Sequence, residues 1–168
     1  MTEITDPVAL IAHIVERYHE VHRAQLPELI RMARRVEAVH QAKPGVPAGL
    51  ADALQALEGE LLNHMAKEET VLFPLLQQGE DDLAARPIAM LRREHDDHGE
   101  ALKEIARLTN DITAPREACN TWRALYAGLA QLRGDLIEHI RLENDVLFAQ
   151  FDPAARQELG CGSDCECS

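Results

Sequence analysis

Leu61-Leu62-Asn63-His64-Met65-Ala66-Lys67-Glu68-Glu69-Thr70-Val71-Leu72-Phe73-Pro74 holds a histidine and a glutamate four residues apart. On a helix, residues i and i+4 lie on one face, one turn apart. His64 and Glu68 can therefore present an imidazole nitrogen and a carboxylate to one point. The run closes on Val71, Leu72 and Phe73, which are core-type residues. The pattern returns in Leu136-Ile137-Glu138-His139-Ile140-Arg141-Leu142-Glu143-Asn144-Asp145-Val146-Leu147-Phe148. Two copies of H-x-x-x-E followed by V-L-F in one short chain point to a duplicated ligand set.

The duplication extends upstream. Arg17-Tyr18-His19-Glu20-Val21-His22 and Arg93-Glu94-His95-Asp96-Asp97-His98 both read R-x-H-x-x-H. His19 precedes His64 by 45 residues, and His95 precedes His139 by 44. The spacing predicts two helical hairpins, each giving one His from its first helix and a His plus a Glu from its second. Paired about a pseudo-two-fold axis, they place four His and two Glu at one level of a bundle.

The helical periods agree. Val8, Ile11, Val15, Tyr18, His22, Leu26, Leu29, Ala33 and Val36 recur at three- and four-residue steps. Asp6-Pro7 forms a start signal, and Pro27 predicts a kink or a split. Lys43 to Gly49 is a connection. Further helices are expected over Leu50–Leu76, Pro87–Leu108 and Arg116–Gln150, with loops over Gln77–Ala85 and Thr109–Pro115. No stretch alternates like a strand. The fold expected is an all-α, up-down-up-down four-helix bundle over residues 1–152. Residues 153–168, with Cys161, Cys165 and Cys167, are expected to form a flexible polar tail.

The chain has 168 residues, 46% of them apolar, which is enough for one domain with a core. No apolar run approaches membrane-span length. The formal charge of −12 disfavours nucleic acid and anionic membranes as partners. Met1 to Asp6 lacks a basic secretory n-region. Cys119 and the three tail cysteines do not make a disulfide framework, so the cytoplasm is the expected compartment.

Glu68 and Glu143 sit on helix faces that also carry Leu, Val and Phe. An inward carboxylate without a cation costs several kcal/mol or shifts its pKa. Taken singly, each of these residues reads as well as a solvated polar-face residue. The repetition of all six weighs against that. Imidazole and carboxylate without thiolate suit Fe, Mn or Zn. Six ligands, two of them carboxylates able to bridge, suit two octahedral-type ions better than one tetrahedral zinc.

With Arg17-Tyr18-His19, Gln25-Leu26-Pro27-Glu28-Leu29, Val36-Glu37-Ala38-Val39-His40, His64-Met65-Ala66-Lys67-Glu68-Glu69, Glu94-His95-Asp96, Glu117-Ala118-Cys119 and His139-Ile140-Arg141-Leu142-Glu143-Asn144, the chain resembles hemerythrin-like proteins over residues 8–150. Among these it is similar to the di-iron proteins that repair iron centres, protecting iron–sulfur clusters from nitrosative and oxidative stress. The resemblance implies a non-haem di-iron centre on His19, His64, Glu68, His95, His139 and Glu143, with both glutamates as bridges. It adds His40 as a further candidate ligand. That residue lies 21 positions from His19, about 31 Å along a straight helix, so it joins only if the chain breaks at Pro27. His22 and His98 are expected beside the ligands or at the surface, and Cys119 as a packed thiol. Longer relatives carry an N-terminal cysteine-pair domain that this sequence is expected to lack.

Two routes to repair stay open: nitric oxide binding and reduction, an activity of the nitric oxide reductase type, or iron donation to a damaged iron–sulfur protein. The alternative is a hemerythrin-type oxygen or nitric oxide binding or sensing protein. Oxygen-carrying hemerythrins usually place H-x-x-x-H on the third helix. Here the position four after His95 is Gly99, which favours an open coordination position, reached by an apolar path past Leu136 and Ile140.

Overall fold

Asp6 starts the first helix. Its side chain accepts from the Ala9 N–H at 2.9 Å, and Pro7 occupies the first turn, where no N–H is needed. The structure, a computed structural model, describes residues 2–152. The expected tail, with its three cysteines, lies outside the described residues.

Four helical arms follow. The first is α1 (Pro7–Ile14), a π-helical turn (Val15–His19) and α2 (Glu20–Val39). The second is α3 (Leu50–Lys67), a π turn (Glu68–Leu72) and α4 (Phe73–Gln78). The third is α5 alone (Asp81–Leu108). The fourth is α6 (Asn120–Arg141), a π turn (Leu142–Leu147) and a 3₁₀ turn (Phe148–Phe151). The first arm contacts the second and fourth, and the third contacts the same two. With consecutive arms joined by short links, this is the expected up-down-up-down bundle. No strand occurs among the described residues.

Two expectations need correction. Pro27 neither splits nor ends its helix, for α2 runs through it. Pro27 is exposed, so the carbonyl that loses its N–H partner can turn to water. The loop expected over Gln77–Ala85 shrinks to Gly79 and Glu80. Gly79 adopts φ +73, and the Glu80 N–H donates to the Leu75 carbonyl at 3.0 Å, closing the second arm in one turn. Asp81 and Asp82 then fill the first turn of α5, where the helix dipole favours acids.

The apolar core falls into two bodies. One gathers Leu26, Leu29, Leu54, Leu61, Met65, Trp122, Leu129 and Leu136. The other gathers Leu10, Ile14, Tyr18, Leu72, Phe73, Leu91, Leu147 and Phe148. Burying each large apolar side chain contributes about 1.5–3 kcal/mol, so two such bodies can carry a costly polar layer. On every arm the His and Glu positions fall between the two.

Candidate metal centre

Three of the six expected ligands sit on π turns: His19 ends the first, Glu68 begins the second and Glu143 lies in the third. A π turn widens the helix by one residue and re-aims the side chains around it. His64, His95 and His139 project from regular helix on α3, α5 and α6. All six side chains are buried, none more than 3% exposed.

Their donor atoms converge. Among the described residues they form two groups, His19, Glu68, His139, Glu143 and His64, Glu68, His95, Glu143, with the ligand atoms of each within 4.8 Å of one another. Each glutamate divides its oxygens between the groups. Glu68 Oε1 lies 3.0 Å from His64 Nε2, while Oε2 lies 3.2 Å from His19 Nε2. Glu143 Oε1 lies 2.8 Å from His139 Nε2, while Oε2 lies 2.9 Å from His95 Nε2.

The site is short of cations. Both ring nitrogens of His19, both oxygens of Glu68 and Oε2 of Glu143 are buried with no hydrogen-bond partner of proper geometry. Leaving such groups buried and unmet costs several kcal/mol. His64 Nδ1 lies 2.7 Å from Glu94 Oε2, and His95 Nδ1 lies 2.7 Å from Asn144 Oδ1. Each Nδ1 therefore carries a hydrogen and donates. The two Nε2 atoms, 3.0 Å apart, then confront each other with lone pairs. Only a proton or a cation between them relieves this, so the residues fit a bound metal.

Without metal, protons fill the role. Burial lowers the His19 pKa, but Glu143 and Glu68 more than reverse it, to about 9. Burial lowers His64 too, and Glu68 brings it to about 8. For Glu143 burial acts upward, and His139, His19 and His95 hold it well below the carboxylate range.

A ring of outer residues surrounds the six candidate ligands. His22 Nε2 meets His139 Nδ1 at 3.2 Å. Burial, helped by the neighbouring His139 and His19, lowers His22 to about 3, so its neutral ring can accept there. His98, lowered to about 3 mainly by burial, stands edge-on to His64 with ring centroids 4.8 Å apart. Both were expected beside the ligands or at the surface; both are buried. Glu69 lies 3.5 Å from His19 Nδ1 and is gripped by Arg23. Glu94 is held by Lys67, and Tyr18 stacks on His139 at 5.5 Å. Sequence reasoning assigned no role to Glu69, Glu94, Asn144 or Tyr18. A signal was present, because each directly adjoins a candidate ligand within the repeated motifs.

A cavity of about 400 Å³ reaches His95 beside Gly99, Leu102, Ile137 and Ile140. Nothing lies within 4 Å of where a Gly99 Cβ would stand. Ile140 lines this route as expected; Leu136 belongs instead to the closed core. A smaller cavity of about 220 Å³, lined by Lys67, Glu94, Asp97 and His98, is polar.

His40 is not brought to this cluster. Because α2 is unbroken at Pro27, His40 becomes its C-cap at the far end of the bundle. There its ring lies tilted against Trp122, with centroids 5.1 Å apart, and Nε2 is 3.2 Å from Cys119 Sγ.

Comparison with known proteins gives the family. Residues 10–151 match the family model described as the hemerythrin HHE cation binding domain. The chain is 54% identical over 139 residues to the iron–sulfur cluster repair protein YtfE of Dickeya chrysanthemi, covering 83% of this chain and 63% of that protein. It is 55% identical over 139 residues to the YtfE of Cronobacter sakazakii and 52% over 139 residues to that of Escherichia coli, with the same coverage. The chain thus spans less than two thirds of the length of these relatives.

Proposed function

The chain belongs to the hemerythrin family of HHE cation-binding domains, and we propose that it is a non-haem di-iron protein that repairs iron–sulfur clusters damaged by nitrosative or oxidative stress. His19 and His139 would hold one iron and His64 and His95 the other, with Glu68 and Glu143 each offering one oxygen to either pair. The observation that carries this reading is the split of each carboxylate, one oxygen toward each histidine pair. A pair of irons held there supplies binding and reduction of nitric oxide, or an ion for donation to a damaged cluster.

The chain's own residues do the rest. Glu94, Asn144 and His22 fix the orientation of His64, His95 and His139. Phe73 stacks on His19 at 5.8 Å and Phe148 on His95 at 5.9 Å. These faces keep bulk water from the ligands, where low polarity strengthens each charge contact. The cavity at Gly99 admits a small diatomic to the His95 side. Damaged iron–sulfur proteins are the partners under this reading, and the cytoplasm its compartment. Among the described residues no helix is long and apolar enough to cross a membrane.

Metal analysis and an optical spectrum of freshly purified protein test the centre. About two irons per chain with near-ultraviolet bands of a bridged ferric pair are expected from the two donor groups. One zinc per chain, with no iron uptake by the metal-free protein, overturns the reading. For function, the reduced protein is mixed anaerobically with nitric oxide and separately with oxygen. Fast nitric oxide reaction is expected, together with Glu68-dependent recovery of a nitric-oxide-damaged iron–sulfur enzyme. Reversible oxygen uptake with sluggish nitric oxide chemistry moves the assignment to a carrier or sensor.

A further inference from the structure

At the end of the bundle remote from the iron ligands, Cys119 and His40 meet across two arms. Cys119 is a free, half-buried cysteine at the N-cap of α6, and its side chain makes no capping bond. His40 is 7% exposed and ends α2. The two line a cavity of about 350 Å³ with Arg35, Val36, Asn120 and Thr121. We propose that Cys119 and His40 form a reactive thiol–imidazole pair whose substrates are small anionic disulfides bound in this cavity.

The contact is a proton-sharing one. Nε2 and Sγ are 3.2 Å apart, whereas a metal bound by both at usual lengths of about 2.0 and 2.3 Å would set them ~3.5 Å apart at a tetrahedral angle. The lining holds no other His or Cys and no acid. With Nε2 accepting from the thiol, Nδ1 carries a hydrogen, yet it is buried without a partner. The imidazole is the base that a neutral thiol requires.

The lining also selects charge. In a chain of formal charge −12, this cavity carries the Arg35 cation and no carboxylate. The first turn of the 22-residue α6 adds backbone N–H groups that Cys119 leaves uncapped. Both features favour an anion. The volume suits a small molecule rather than a polypeptide.

The step balances without a further oxidant. His40 Nε2 takes the thiol proton as the Cys119 sulfur attacks one sulfur of the disulfide. A new S–S bond forms, the old one breaks, and the leaving sulfur departs with the electron pair and regains the proton from His40. Cys119 is oxidised to a mixed disulfide and the leaving sulfur is reduced to a thiol.

The test uses the full-length, iron-loaded protein with Cys161, Cys165 and Cys167 replaced by serine. Glutathione disulfide and the cationic disulfide cystamine serve as probes, with intact mass read against time. Addition of one glutathionyl group at Cys119 is expected, absent in Cys119→Ser, and about tenfold faster relative to cystamine than for free cysteine. His40→Asn should slow it on the order of a hundredfold, the loss typical of a removed base. Arg35→Glu, an exposed change that spares the fold, should slow glutathione disulfide and not cystamine. An unmodified Cys119, or equal rates in the parent and in a folded His40→Asn protein, overturns the proposal. Insensitivity to Arg35→Glu overturns its anionic part. These readouts do not depend on what the iron centre does.

Discussion

Glu94 immediately precedes His95 on α5, yet the histidine it holds is His64 on α3, whose Nδ1 lies 2.7 Å from its Oε2. Lys67, one turn beyond His64, grips the other oxygen. One carboxylate thus ties two arms together and sets the tautomer that leaves His64 Nε2 free for a cation.

Glu94→Gln should keep the fold and weaken iron binding about 10–100-fold, the usual cost of losing such an outer partner. An amide can still touch His64 but has no charge to support the imidazole. Competition with a chelator reads the affinity. Unchanged affinity would show that Glu94 serves only the Lys67 contact.

Glu68→Leu and Glu143→Leu should each lose the coupled iron pair, because each carboxylate faces both histidine pairs. His22→Ala and His98→Ala should retain it, since neither places a donor atom in either group. Iron content and the magnetic coupling of the ferric protein separate the two classes. Equal retention in all four variants is the outcome that sinks the ligand assignment.

The metal-free protein should be most stable near pH 6.5. His22 and His98 sit at about 3 when folded, against 6.5 in the unfolded chain. The unfolded chain binds more protons between those values, so their contribution is full above 6.5 and lost as pH falls toward 3. His19 and His64 are raised from 6.5 to about 9 and about 8. Their contribution is full below 6.5 and is lost as pH rises through 8 to 9. Bound metal displaces those two protons, so the alkaline decline should vanish in the iron-loaded protein. Urea midpoints of both forms across pH measure this, and an alkaline decline of equal size in both forms contradicts it.

Gly99→Phe should leave iron content and helicity intact and slow nitric oxide access about tenfold, roughly 1.4 kcal/mol in barrier. A side chain there grows into open space and into the cavity that reaches His95. Stopped-flow mixing reads the rate. An unaltered rate would direct attention to the polar cavity beside Glu94 and His98.

Much of this protein is written in its linear pattern. Apolar residues at three- and four-residue steps specify the helices, because a helix buries one face whatever surrounds it. His64 with Glu68, and His139 with Glu143, are set by i,i+4 geometry on a single helix, so the sequence alone determines that each pair points one way. The repeat determines that there are two such pairs, with His19 and His95 to match. Tertiary structure decides how the halves combine. His19 of the first hairpin shares a group with His139 of the second, and His64 shares one with His95. That crossing depends on which arms touch. Spacing along the chain records height and angle on one helix and nothing of its neighbours. The same limit hid the grip of Glu94 on His64. It also left His40 undecided: only the continuity of α2 through an exposed Pro27, allowed because water can serve the freed carbonyl, carries that histidine away from the buried His/Glu cluster and sets it against Cys119.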